Sequence, residues 1–343
     1  MTTRDASGKV LRVYVCGEGI GESVLLELPC GGWGLIDCYL PSASAASNML
    51  TFMEKLGVKQ LTFLCLTHPH ADHYLGLDFL LREFAGRIER VWRHPGFTPR
   101  DILVRVLLAA KVKPLRDLDP EANRLADGYM SVEEAMHDVT KNLQPDCYRL
   151  VVGPTELLNG GSYMIEALGP CSNLIDQVEG KLGKIESNKG CLVFSDSEGR
   201  ICNSLSIVLR LTFGQCIVML LGDAVDEPHA AMIDSSRVTL LKVAHHGSST
   251  GLGAKLYAKG NVPRRRSVKC AVVTPYLRSN LPRKLMVQNY ATMCGALHIT
   301  GRKPGMGSGR IFPGLMRAAV VKSSSSWVGF EITASGNVTK LAV

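Results

Sequence analysis

Two short clusters of histidine most strongly constrain the fold of this chain. Five of its nine histidines lie in them: His68, His70 and His73 in the first, and His245 and His246 in the second. Each cluster follows an apolar run of the kind that forms a strand buried on both faces. Polar side chains at the carboxyl ends of strands converge on one edge of a sheet. The pattern therefore predicts a strand-built fold with a site for polar chemistry at one sheet edge.

The first cluster has the pattern HxHxDH, in which Asp72 lies between His70 and His73. Imidazole and carboxylate groups are ligands for Zn, Mn or Fe(II). A chance group of histidines on a solvated loop is the alternative. Four ligand-type side chains within six residues favour a metal site instead.

Two further apolar runs end in possible ligands. The segment VMLLGD ends in Asp223, although Gly-Asp after a strand is also an ordinary turn. The segment LLKVAHHGSS contains His245 and His246, and one of the pair is predicted to bind a metal while the other donates to a phosphate or leaving group. The sequence does not assign the two roles. The Gly-Ser-Ser-Thr that follows offers N–H groups and hydroxyls suited to an anion.

Five segments, in the order GEGIGESVLLEL, LTHPHADHYLGL, NSLSIVLRL, MLLGD and LLKVAHHGSS, resemble the metallo-β-lactamase superfamily. Within it they are most similar to the soluble hydrolase domain of ComEC-type DNA-uptake channels and its free-standing relatives. The resemblance covers roughly residues 10–300 and leaves 96–150 unmatched. It implies an α/β fold, a metallo-β-lactamase-like αββα four-layer sandwich with two mixed β-sheets.

The resemblance also implies a site for two metal ions. The first two histidines of HxHxDH are expected to bind the first metal, the Asp-His pair the second, and the aspartate after Gly222 to bridge both. Zn²⁺ is the expected metal, with Mn²⁺ or Mg²⁺ as alternatives. The implied ligands are His68, His70, Asp72, His73, Asn203, Asp223 and one or both of His245 and His246.

Asn203 marks a departure from the superfamily pattern. Many members have a further histidine ahead of the strand that leads to the bridging aspartate, and here Asn203 takes that place, as in the resembled subgroup. An amide oxygen is a weaker ligand than imidazole, so the first metal is expected to be loosely held, rich in water, or replaced by Mn²⁺ or Mg²⁺. The alternative, that Asn203 only caps a strand turn, stays open.

The resemblance implies hydrolysis by a two-metal-activated water, with Asp72, His245 or His246 moving a proton. The subgroup is associated with DNA degradation, which favours a phosphodiesterase or nuclease acting on DNA or RNA. One alternative is a hydrolase of a small ester, lactone or thioester, which would lack salt-sensitive DNA affinity. Others are a non-enzymatic scaffold, which the nearly complete ligand set disfavours, and a defence or toxin effector controlled by a regulatory protein partner.

Charge is distributed unevenly along the chain, whose formal net charge is +8. From Lys255 to the end there are 15 Lys and Arg residues and one acidic residue, whereas residues 1–254 have 24 basic and 30 acidic residues. This asymmetry favours a polyanionic partner such as nucleic acid, with a solvated basic surface as the alternative. The candidate nucleic-acid contacts are Arg264, Arg265, Arg266, Lys269, Arg278, Arg283 and Lys284.

The composition, with 46% hydrophobic and 20% charged residues, allows a sizeable buried core. We predict a single hydrolase domain over 1–343, with a helical insertion at 96–150 and a basic C-terminal part at 255–343. No apolar run reaches the ~18 residues of a membrane helix, and the N-terminus lacks a signal-peptide pattern, so we expect a cytoplasmic protein without membrane contact. The 11 cysteines include no CxxC pair and are expected to be reduced.

Hydrophobic periodicity predicts the secondary structure. The predicted strands are 11–17, 23–28, 33–38, 61–67, 90–94, 162–168, 205–213, 216–221, 238–243, 271–274, 296–300, 327–333 and 338–343. The predicted helices are 49–56, 74–84, 100–111 and 119–143, and residues 170–200 are predicted to be a loop.

Two further acids and four further histidines complete the candidates. Asp37 ends a predicted strand and Glu22 follows a glycine-containing turn, so each is predicted either to hydrogen-bond a ligand from behind or to be a surface acid. The remaining histidines are expected to be ordinary surface or core residues. They are His94, His137, His229 and His298.

Overall fold

The computed structural model describes residues 9–17, 19–95, 120–178, 202–225, 238–253, 268–301, 320–322 and 326–342. Their strands form two eight-stranded sheets. The first sheet contains β1 Val10–Cys16, β2 Ser23–Glu27, β3 Trp33–Ile36, β4 Phe63–Leu66, β5 Val91–Arg93, β6 Tyr148–Leu150, β15 Trp327–Thr333 and β16 Val338–Leu341. The second contains β7 Thr155–Asn159, β8 Tyr163–Gly169, β9 Val208–Phe213, β10 Cys216–Leu220, β11 Val238–Lys242, β12 Val268–Val273, β13 Cys294–Ile299 and β14 Val320–Lys322.

Both sheets are mixed. The first has the order β16-β15-β1-β2-β3-β4-β5-β6 and is parallel from β3 to β6. The second has the order β14-β13-β12-β11-β10-β9-β8-β7 and is parallel from β10 to β14. The parallel strands β3, β4 and β11 are buried at every residue, which agrees with their nearly continuous apolar sequences.

The helices are α1 Ala43–Lys55, α2 Ala71–Tyr74, α3 Leu77–Glu83, α4 Pro120–Thr140 and α5 Lys284–Met293. Short 3-10 turns occupy 145–147, 244–247 and 277–279, and residues 172–178 are also helical. Within the described parts of the chain, no helix is both long and apolar enough to cross a lipid bilayer.

Three apolar clusters define four layers. The central one lies between the sheets and includes Phe63, stacked on Trp92 with ring centroids 4.3 Å apart, and Phe213 from the second sheet. A second cluster packs α1, α3 and α4 on the outer face of the first sheet, and a third packs α5 on the second sheet. Each fully buried large apolar side chain contributes about 1.5–3 kcal/mol. The layering confirms the predicted αββα sandwich with two mixed sheets.

Two predicted helices differ from those observed. The helix predicted at 49–56 begins earlier, at Ala43, because the Ser42 hydroxyl caps it by accepting a hydrogen bond from the Ala45 N–H at 3.3 Å. The helix predicted at 74–84 begins later, at Leu77, because Gly76 adopts φ 91° and separates α3 from the short helix α2.

The middle of the chain also differs from expectation. The loop predicted at 170–200 is wrong at its start, where residues 172–178 are helical and bury Leu174 and Val178 one turn apart. Within the predicted insertion at 96–150, α4 packs on α3, and β6 extends the first sheet beside β5. The helix predicted at 100–111 lies outside the described residues. The sequence patterns do not predict β6, β7, β14 or α5.

Candidate metal centre

The candidate ligands lie where parallel strands of both sheets end. His68 follows β4, Asp223 follows β10, and the pair His245 and His246 follows β11. The two sheet edges are joined at this point, because the Ile207 N–H donates to the carbonyl of Thr67 at 3.1 Å. Side chains from distant parts of the sequence therefore converge at one edge, as the strand-end pattern predicts.

Unusual backbone conformations aim several of these side chains. Asp37, His245 and His246 have φ of 55°, 49° and 52°, in the left-handed region. Such a conformation costs about 1–3 kcal/mol at a residue with a side chain and persists where the surroundings enforce it. Here the Asp37 N–H donates to the Cys65 carbonyl at 2.8 Å, and the His245 N–H donates to the Gly222 carbonyl at 3.1 Å.

His73 is held from behind by Asp37. Its Nδ1 donates to Asp37 Oδ2 at 2.7 Å, and the same carboxylate accepts from the N–H and the hydroxyl of Thr67 at 2.8 and 2.7 Å. This fixes Nε2 as the nitrogen that faces the centre, 3.5 Å from Asp223 Oδ1 and 3.7 Å from Asp72 Oδ2. Of the two alternatives that the sequence leaves open for Asp37, the structure shows the supporting one, since Asp37 is buried and bonded to His73.

His246 is oriented in a similar way. Its Nδ1 donates to the Thr274 carbonyl at 2.9 Å, and its Nε2 lies 3.0 Å from Asp72 Oδ2 and 3.7 Å from Asp223 Oδ2. The residue is 1% exposed. We name Asp72, His73 and His246 the Asp72 side of the centre, with Asp223 at its border.

His68, His70, Asn203 and His245 form the other part, which we name the Asn203 side. The Nε2 atoms of His68 and His245 lie 3.9 and 4.0 Å from Asp223 Oδ2. His68, His70 and Asp223 each offer a ligand atom within 4.8 Å of the others. His245 Nε2 also lies 3.3 Å from the Asn203 amide nitrogen. The structure therefore separates the adjacent histidines, with His246 on one side and His245 on the other.

The two sides shift histidine pKa values in opposite directions. On the Asn203 side, burial lowers the pKa of His68, His70 and His245. On the Asp72 side, burial acts in the same direction, but the surrounding carboxylates outweigh it and raise the pKa of His73 and His246. Negative charge is therefore concentrated on the Asp72 side.

The carboxylates themselves stay ionised. Burial alone would raise the pKa of Asp72, but the charge of His73 and the hydrogen bond from His246 bring it to about 2. The pKa of Asp223 lies well below its usual range, because neighbouring histidines outweigh the effect of burial. Ionised carboxylates are the form that binds a cation.

Unpaired buried atoms test whether a metal fits here. Among the described residues, His68 Nε2, His73 Nε2, Asn203 Oδ1 and Asp223 Oδ1 are buried and have no hydrogen-bond partner. A buried polar atom left unpaired costs about 1–3 kcal/mol, so four at one site need an explanation. Imidazole nitrogens and carboxylate oxygens suit a divalent cation, and the donor set therefore fits one.

The predicted nucleic-acid contacts separate into three groups. Arg278, Arg283 and Lys284 are exposed near the centre: Arg278 follows Tyr276, whose ring centroid lies 5.3 Å from that of His246, and the Arg283 N–H donates to the Gly247 carbonyl at 3.1 Å. Lys269 lies at the opposite end of β12 from Thr274, where its ammonium donates to the Gly336 carbonyl at 2.6 Å. Arg264, Arg265 and Arg266 lie outside the described residues.

The other predicted histidines differ in burial, and the Nε2 of His94 and the Nδ1 of His298 are buried without a hydrogen-bond partner. His94 is buried after β5, His298 packs against the Phe330 ring with centroids 5.0 Å apart, and His137 is exposed. His229 lies outside the described residues. Sequence reasoning missed Lys242, which is 1% exposed and ion-paired with Glu22. A lysine inside the apolar strand LLKV was the signal for it.

Comparisons with known proteins give one family match and several similar solved structures. A family model described as the metallo-β-lactamase superfamily matches residues 16–158. The match covers less than half of the chain and shows a resemblance to that superfamily over these residues. The ComEC-type resemblance stays a prediction. Curated protein sequences give no match to this chain.

Several solved structures are similar to the chain. A Bacillus subtilis metallo-β-lactamase fold protein, YhfI, is 13% identical over 97% of this chain and 99% of its own, with a TM-score of 0.45. A diphosphatase of the PhnP family is 12% identical over 94% and 98%, with a TM-score of 0.41. The short form of human tRNase Z is 12% identical over 94% and 99%, with a TM-score of 0.41. No conclusion about activity follows from similarity at this level.

Proposed function

We propose that the protein is a metal-dependent phosphodiesterase that cleaves nucleic acid, with DNA as the favoured substrate. The observation that carries this proposal is the group of buried, unpaired ligand atoms gathered between carboxylates at the joined edges of two sheets. The exposed residues Arg278 and Arg283 belong to a segment that contacts this group, and they would offer positive charge to a polyanion.

Two metal ions are proposed at the centre, Zn²⁺ first, with Mn²⁺ or Mg²⁺ as alternatives. Asp72, His73, Asp223 and His246 would hold one, because their ligand atoms face each other at 3.0–3.7 Å. His68, His70 and Asp223 would hold the other, with Asn203 as a further ligand. When bound, such ions supply Lewis acidity and an activated water nucleophile.

The surrounding residues have separate tasks in the proposed reaction. Asp72 stays ionised and accepts a proton or hydrogen bond at a carboxylate oxygen. His245 lies partly open to a substrate, with 20% of its side chain exposed, and would contact the scissile group. The Thr250 hydroxyl lies 3.3 Å from its Nδ1 and orients the ring.

The basic residues near the centre would bind the phosphate backbone. Arg278, Arg283 and Lys284 project from the segment that follows β12 and begins α5. Each phosphate neutralised by a basic side chain releases counterions, so the affinity of the protein for DNA should fall steeply with salt. Lys269 is left out of the proposed DNA contacts, because its ammonium already donates to the Gly336 carbonyl.

A cleavage assay tests the proposal. Purified protein is incubated with circular and linear DNA and with RNA, in the presence of Zn²⁺, Mn²⁺ or Mg²⁺. We expect metal-dependent cleavage that disappears in the double variant Asp72→Ala/His73→Ala and persists in His137→Ala, a matched control at an exposed histidine. Cutting of the circle would identify an endonuclease.

Other outcomes favour other functions. A protein that binds metal but cleaves neither nucleic acid at low salt contradicts the proposal. Hydrolysis of small esters, lactones or thioesters without DNA affinity would identify the small-molecule alternative. Cleavage that needs an added protein would favour a partner-controlled effector. A cytoplasmic location and a regulatory partner stay predictions.

A further inference from the structure

We propose that the buried Lys242 ammonium holds the Glu22 carboxylate away from the metal, so that Glu22 positions His246 instead of acting as a ligand. Both residues are nearly inaccessible to solvent, at 1% and 3% exposure. This inference rests on the proposed metal centre and names two positioning residues that support its Asp72 side.

Glu22 lies close enough to the centre to compete for a metal. One carboxylate oxygen lies within 4.8 Å of ligand atoms of His73, Asp223 and His246. Its Oε2 lies 3.5 Å from His246 Nδ1, which is the nitrogen that faces away from Asp72. A third carboxylate beside Asp72 and Asp223 would be a strong ligand if it were free to move.

The contacts of Glu22 prevent that movement. Lys242 Nζ lies 2.6 Å from Glu22 Oε1 and 2.5 Å from Oε2, and the Thr274 hydroxyl donates to Oε2 at 2.5 Å. Lys242 Nζ also donates to the Val243 carbonyl at 3.0 Å. Both carboxylate oxygens are therefore occupied by groups with fixed positions, and the negative charge is neutralised by a neighbouring cation.

This arrangement gives the pair a positioning role. Thr274 donates its hydroxyl to Glu22 and accepts His246 Nδ1–H at its carbonyl, so Glu22 and Thr274 together fix the ring whose Nε2 faces Asp72. Partners behind a ligand histidine fix its tautomer and orientation. Keeping Glu22 off the metal leaves room at the Asp72 side for the water or substrate that a catalytic site needs.

Co²⁺ binding distinguishes a metal-ligand role of Glu22 from a positioning role without an activity assay. The variants are Lys242→Met, which removes the cation, and Lys242→Met/Glu22→Gln, a neutral pair of nearly the same shape. Co²⁺ per chain, affinity and the visible absorption spectrum are measured for each variant and for the wild type. A melting curve of each protein without metal accompanies the titration.

For the neutral pair we expect the wild-type Co²⁺ content and spectrum, with affinity lower by about tenfold, as for a partner behind a ligand. For Lys242→Met we expect an altered spectrum with weaker absorption per ion, because the freed Glu22 carboxylate adds a ligand. We also expect metal to raise its melting temperature more than that of the wild type, since the unpaired buried carboxylate gains a cation.

Two results would overturn the inference. Loss of one Co²⁺ from the neutral pair, or an affinity lower by far more than ~100-fold, would make Glu22 a ligand. A Lys242→Met spectrum identical to that of the wild type would show that Lys242 does not restrain Glu22. If Lys242→Met fails to fold, the neutral pair alone decides between the two roles. Wild-type protein that binds Co²⁺ but cleaves no nucleic acid refutes only the proposed substrate.

Discussion

The Asp72 side and the Asn203 side of the centre share Asp223 but differ in the hydrogen-bond partners that hold their histidines. On the Asp72 side, His73 donates to a carboxylate and His246 donates to the carbonyl of Thr274, whose hydroxyl donates to Glu22. Both rings are almost fully buried. On the Asn203 side, hydroxyl groups of Thr67 and Thr250 lie beside the ring nitrogens of His68 and His245, at 3.0 and 3.3 Å.

This difference in hydrogen-bond partners predicts that one centre binds one metal ion tightly and a second metal ion more weakly. A carboxylate behind a histidine fixes its tautomer and strengthens it as a ligand more than a hydroxyl does. The Asn203 side also places an amide where imidazole would bind more strongly, and it includes the more exposed histidine. We therefore expect the Asp72 side to bind the first equivalent of metal and the Asn203 side to bind the second more weakly.

The largest expected effect separates the adjacent histidines. His246→Ala removes a ligand from the firmly held side, and we expect it to lower the cleavage rate by about a thousandfold or more and to abolish tight metal binding. His245→Ala should leave the first equivalent of metal bound and lower the rate less. Metal analysis and single-turnover cleavage measure both effects. Equal loss of metal in the two variants would remove the distinction between the sides.

The next largest effect on metal binding is expected from Asp37, which accepts a hydrogen bond from His73. Asp37→Asn keeps the shape and suits the left-handed φ of 55°, which Asn tolerates, so the backbone should be unaffected. It removes the charge behind His73, and we expect metal affinity on the Asp72 side to fall by about 10- to 100-fold. The matched control is Asp78→Asn at the exposed ion pair with Arg82. Competition with a chelator measures the affinity, and unchanged values would refute the supporting role of Asp37.

The pKa shifts predict different pH dependences for the two sides. Because the pKa of His73 and His246 is raised, a metal entering the Asp72 side displaces protons, and its affinity falls by about tenfold per pH unit for each proton as pH decreases below that pKa. Because the pKa of the Asn203-side histidines is lowered, they are already neutral at pH 7, and affinity there should change little. Calorimetry in buffers of different ionisation enthalpy counts the protons released with each equivalent. If protons were released only when the second equivalent of metal binds, the Asp72 side would be the weaker site, contrary to our expectation.

The smallest expected effect tests Asn203. The change Asn203→His restores the stronger ligand of the superfamily pattern, and we expect metal on the Asn203 side to bind several-fold more tightly while the Asp72 side stays unchanged. Metal content after dialysis at limiting concentration measures this. Unchanged metal content would mean that Asn203 supports the 202–204 turn and binds no metal.

The residues at strand ends are the part of this centre that could be predicted from the sequence. The spacing within HxHxDH and the aspartate that ends MLLGD are local features, and both groups lie where the strand pattern predicts. The four layers follow from the same periodicities. Lys242 and Thr274 could not be assigned in this way, because their roles depend on contacts with Glu22 across 220 and 252 residues.

The roles of His245 and His246 depended on backbone geometry. Two consecutive residues with positive φ send one ring to each side of the centre, and no sequence periodicity encodes that turn. Element ends were missed where a single residue decides them, as at Ser42 and Gly76. Strand β6 is short and exposed, so it carries little hydrophobic signal.

The central claim is that ligands from both sheets hold two metal ions at one joined edge. Anomalous diffraction from crystals of the protein grown with Zn²⁺ or Mn²⁺ tests it most directly, because it locates each metal independently of activity. The account predicts two peaks, a stronger one among Asp72, His73, Asp223 and His246 and a weaker one beside His68, His70 and Asp223. A single peak, or peaks away from these side chains, would contradict it.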